Sequence, residues 1–87
     1  MLLYFKEGVE NEVEGIIKKV DIHIANFNSK SKKNDRKDGV VHNWDTHTIT
    51  PLQVEYEIDM GSAGLKFIKG LLKFLSGFNS FEKVVME

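Results

Sequence analysis

The chain has 87 residues, 41% of them hydrophobic and 29% charged, with a formal net charge of −1. That length supports a single domain, 1–87, and the balance is too apolar for wholesale disorder; a near-neutral total leaves any polyanion binding to local patches. There is no cysteine, which excludes disulfides, thiolate metal sites, iron–sulfur clusters and cysteine nucleophiles.

Leu2-Leu3-Tyr4-Phe5 reads as a short buried strand closed by Lys6, Glu7 and Gly8. This apolar run meets charge too early for a signal peptide. No stretch approaches the ~18–20 uninterrupted apolar residues of a membrane-spanning helix, so a cytoplasmic compartment is the expectation.

Residues 9–27 carry two periodicities. Val9, Val13, Ile16, Ile17, Val20, Ile24 and Phe27 recur at helical spacing, whereas Val20, Ile22 and Ile24 alternate with Asp21, His23 and Ala25 as in a strand. The density of β-branched residues favours a strand over 16–27, with a bulge at Gly15-Ile16. Residues 9–15 are left open, and a helix across the whole segment is the alternative.

Residues 28–39 contain no large apolar side chain and end in the turn pair Asp38-Gly39, so they read as a mobile basic loop, the tip of a hairpin if its flanks are strands. Val40 and Val41 restart extended structure towards Thr50, and Pro51 marks an edge or break. Val54, Tyr56, Ile58 and Met60 then alternate with Gln53, Glu55, Glu57 and Asp59. This is the pattern of an antiparallel strand with one wet face.

Gly61-Ser62 leads into an amphipathic helix, with Ser62 as the expected N-cap and Gly77 as the expected C-cap. Its apolar positions lie opposite Lys66, Lys69 and Lys73. Gly70 within it hints at a close backbone approach. The tail from Ser80 to Glu87 suits a short edge strand or a turn. The expected fold is therefore α+β: a small antiparallel sheet of three to four strands with one C-terminal amphipathic helix packed on its apolar face.

Four clusters bear chemistry. His42, Asp45 and His47 offer imidazole and carboxylate to a metal, with His23 a further donor across a hairpin, but they match no recognised ligand spacing. Glu55, Glu57 and Asp59 share one strand face; acid–base work would need a pocket that perturbs one of them, which the pattern does not supply. Lys30, Lys32, Lys33, Arg36 and Lys37 bring five cations into eight positions, a candidate phosphate contact in which Trp44 or Phe27 would stack a base. In isolation the 64–78 segment resembles a membrane-surface helix, although the strands need it as cover.

No nucleophile elbow, phosphate-binding loop or dinucleotide fingerprint occurs, so neither catalysis nor a cofactor is expected. The leading expectation is a non-catalytic protein-binding module, an adaptor or inhibitor of a larger assembly, acting through the acidic face Glu55, Glu57 and Asp59. Exposed sheet edges also make a homodimer an expectation. The alternatives are nucleic-acid association through 30–37 and peripheral membrane association through 64–78.

Overall fold

The computed structural model describes residues 1–86. Among them, four strands form one antiparallel sheet with two helices, an α+β architecture. The elements are β1 (Leu2–Phe5), α1 (Val13–Lys33, entered through a 3-10 turn at Glu10–Glu12), β2 (Asn43–Thr50), β3 (Gln53–Asp59), α2 (Leu65–Leu75) and β4 (Phe81–Val85). The sheet order β2-β3-β1-β4 splits each β-α-β unit by one strand: α1 links β1 to β2 around β3, and α2 links β3 to β4 around β1. β2 and β4 are the edges.

The expected strand over 16–27 is a helix. Ile16, Val20, Ile24 and Ser31 are buried and Phe27 is half-buried, a spacing that only helical geometry aligns on one face. The apparent alternation rested on Ile22, which is 60% exposed. Tertiary burial of the helical line overrides the β-preference of its branched residues. Gly15 sits inside the first turn, so there is no bulge there.

The expected loop over 28–39 also begins inside α1. Its residues up to Lys33 are the helix's last turns, where Lys30, Lys32 and Lys33 complement the negative end of the helix dipole. Beyond Lys33 the chain makes a turn in which Asp35 and Arg36 adopt left-handed backbone. Side chains of α1 bond to the backbone that follows the turn. The Asn28 side chain accepts from Val41 N at 2.8 Å and donates to Val41 O at 2.9 Å, and the Ser31 hydroxyl donates to Gly39 O.

One cluster holds the core. Leu3 and Phe5 of β1, Val54 and Tyr56 of β3, Ile16, Val20 and Ile24 of α1, and Phe67, Leu71 and Leu75 of α2 are all buried in it. The two helices meet edge-on at Phe27 and Phe67, whose ring centroids are 5.0 Å apart. Tyr56 crosses between layers: its hydroxyl lies 3.0 Å from Asp21 Oδ1 and 3.1 Å from Ile17 O. Burial first, then the charge of Asp21, pushes this phenol well above its ordinary range, which keeps it a donor.

Local expectations at α2 change as well. Gly64, not Ser62, occupies the N-cap, without a side-chain bond; the Ser62 hydroxyl instead accepts from Val40 N at 3.0 Å. The helix closes on Ser76 in right-handed geometry rather than on a left-handed Gly77. A methyl group at Gly70 would meet nothing within 4 Å, so no close approach occurs there.

Gly39 is a glycine the fold needs. Its φ is +73°, and a Cβ would stand 2.0 Å from Ser62 O. Gly39→Ala is therefore expected to cost roughly 2 kcal/mol or more of unfolding free energy in urea titration, from left-handed strain plus a backbone clash.

Candidate functional site

Register decides which side chains share the face turned away from the core. β2 pairs with β3 so that Asn43 stands opposite Asp59, Asp45 opposite Glu57 and His47 opposite Glu55. Residues directly opposite point to the same side of a sheet. The outer face of β2 and β3 therefore carries Asp45, Glu55, Glu57 and Asp59, while Val54 and Tyr56 point into the core. A shallow hollow of about 300 Å³ lies along Asn43, Trp44, Asp45, Glu57, Ile58 and Asp59.

Two histidines lie beside these carboxylates. His47 Nε2 is 3.4 Å from Glu57 Oε1, and His42 Nδ1 is 3.2 Å from Asp59 Oδ2. The backbone N–H of Gly61, followed by His42, holds the Asp59 carboxyl below its ordinary range. Asp45 and Glu57 still stand directly opposite as like charges, a destabilising cross-strand pair.

Towards the other edge the same face changes character. β1 sets Leu2 beside Glu55 and Tyr4 beside Gln53; β4 adds Lys83 opposite Tyr4. The Lys83 ammonium sits 4.6 Å from the Tyr4 ring centroid, within cation–π range. The outer face is thus acidic over β2–β3 and apolar with one cation over β1–β4. The sequence had assigned Asp45 to a metal cluster. Only the hairpin register at Thr50–Gln53 puts it beside Glu57, and simple alternation from Asn43 was the one clue available.

The candidate metal donors His42, Asp45 and His47 divide between separate partners. His23 lies on α1, stacked on Phe74 with centroids 4.3 Å apart. Among the described residues, no three His, Asp or Glu side chains are grouped to hold a metal ion.

The basic cluster sits at the end of α1. Lys30, Lys32, Lys33, Arg36 and Lys37 are exposed. Lys33 and Lys37 share a hollow with Lys66 of α2, which pairs with Asp38 at 3.0 Å. Among the described residues, no helix is long and apolar enough to cross a membrane. Compared with known proteins, the chain matches no family model, no curated protein and no solved structure.

The seam between the helices holds one more titratable group. Burial first, then the charge of Lys30, keeps the His23 imidazole below its ordinary value of 6.5. The folded state thus favours the neutral ring. This contribution to stability is complete above the unfolded-state value and is lost as pH falls through and below it. Thermal melts at about pH 7.5 and about pH 5.5 should show a decline that His23→Phe, which keeps the stack on Phe74, makes shallower.

Proposed function

We propose that the protein is a non-catalytic binding module whose outer β2–β3 face docks on a basic protein surface. The observation that carries this reading is the direct opposition of Asp45 and Glu57 within a face that also bears Glu55 and Asp59. Such crowding costs stability in the free chain and becomes favourable against a complementary cationic surface. The hollow beside it is open and shallow, suited to a contact surface more than to an enclosed small molecule.

The amphipathic C-terminal helix fits the same reading as a structural element. Phe67, Leu71 and Leu75 of α2 lie in the common core, which supports packing over the sheet's apolar face and leaves less of its apolar surface for lipid. The second reading, nucleic-acid association, gains from the joining of Lys33 and Lys37 by Lys66 at the end of the helical layer. Titration with a single-stranded oligonucleotide tests it: phosphate contacts require a steep salt dependence, reduced by Lys33→Glu and Lys37→Glu.

Glu57→Lys separates binding from folding on the main reading. It replaces a like-charge pair with an attractive one and gives up the exposed contact with His47, so unfolding free energy should stay within about 1 kcal/mol of the wild type. Affinity for a lysine-rich probe peptide should fall about tenfold for Glu55→Lys combined with Glu57→Lys, measured by calorimetric titration at two salt concentrations. Unchanged affinity removes this face from consideration.

A further inference from the structure

The edge strand β2 has a pattern beyond its outward charges. Tyr56 N donates to Met1 O at 2.7 Å and Phe5 N to Leu52 O at 2.8 Å, so residues 52, 54 and 56 direct their backbone groups towards β1. The intervening residues 53, 55, 57 and 59 then bond towards β2, where they meet His47, Asp45 and Asn43. Trp44, Thr46 and Thr48 of β2 turn their N–H and C=O groups to the free edge, where the Thr46 N–H donates to Asp45 Oδ1 at 2.8 Å.

We propose that β2 is a self-complementary edge, and that its occupant is β2 of a second copy of this chain, paired antiparallel about a two-fold axis at Thr46. A two-fold axis across the sheet plane must set residues of the same face opposite one another, which limits the registers to steps of two residues. Centring the axis on Asp45 sets the two Asp45 carboxylates against each other; centring it on His47 opposes two imidazoles. With the axis at Thr46, Asp45 of each copy faces His47 of the other. Both contacts fall at non-hydrogen-bonded positions, where opposing Cα atoms come to about 4.5 Å and side chains are closest.

The same register uses all of the outward backbone once Asp45 exchanges the Thr46 N–H for His47 of the second copy. Thr46 pairs with Thr46 of the second copy, and Trp44 pairs with Thr48 in both directions. On the core side, a groove of about 520 Å³ runs between β2 and the first half of α1, lined in part by Val13, Ile17, Thr46, Thr48 and Pro51. The half-exposed Trp44 of one copy arrives opposite Thr48 at the groove of the other, adding an apolar contact to the backbone ladder. The product is one continuous sheet with both acidic faces on the same side.

Sedimentation equilibrium on the intact chain tests this. The wild type should form a dimer of twice 10.0 kDa at sub-millimolar concentration. Thr46→Pro removes an N–H whose partner within the chain is the carboxylate of its own neighbour, Asp45 Oδ1 at 2.8 Å, and no bond between strands, so the far-UV spectrum should persist while the dimer is lost. His47→Asp should weaken the dimer roughly tenfold by opposing two carboxylates, and Asp45→His with His47→Asp should restore it. A wild-type monomer, a dimer unaffected by Thr46→Pro, or a charge swap that fails to restore association overturns the proposal. The wild-type and Thr46→Pro measurements leave every carboxylate of the acidic face in place, so a failure there leaves the reading of that face standing.

Discussion

The hydroxyl of Tyr56 is the point at which the helical layer and the sheet are fixed to each other. A phenol that is 1% exposed requires a partner, and α1 supplies two oxygens, from Asp21 and Ile17. That bond sets α1 above β3 and fixes which turn of the helix faces which strand residue. Once it is made, Val54 and Tyr56 face inward, and strand alternation forces Glu55, Glu57 and Asp59 to the other side. The acidic face is thus a consequence of how the core closes.

The return from α1 into β2 depends on a second set of polar contacts. Asn28 binds both the N–H and the C=O of Val41, acting on the backbone as a neighbouring strand would. Ser31 holds Gly39, and Gly39 lies so close to Ser62 that no side chain fits. These contacts bring the start of β2 and the entry to α2 together before either element begins. They also define where the basic turn sits, at the end of α1 and next to Lys66, with its cations exposed.

Much of the sheet was legible in the sequence because its strands are short and their alternation is clean. Gln53–Asp59 reads as one wet and one dry face, and the structure has that strand. Around α1 the local pattern and the fold diverge for specific reasons. Ile22 made a solvent-facing position look like part of a strand face, and Ser31 made a buried helical position look like loop. A buried serine that bonds a backbone oxygen 8 residues on leaves no mark in hydrophobic periodicity. The acidic triad was visible from spacing alone. Its fourth member, Asp45, needed strand pairing, which no local pattern encodes.

Both features assigned to binding are liabilities for an isolated chain. Opposed carboxylates repel, and an unpaired edge exposes backbone groups to any passing strand. Soluble proteins commonly guard such an edge with charge, and Asp45 and His47 also stand in that position. A guard of one sign would block every register. A carboxylate and an imidazole two residues apart oppose like groups in some registers and complementary groups in one, so the same pair that disfavours indiscriminate pairing selects a symmetric mate. On the proposed readings, dimerisation through β2 sets two acidic faces side by side in one surface. Two modest electrostatic contacts on a partner would then act at high effective concentration, which raises avidity without any new side chain.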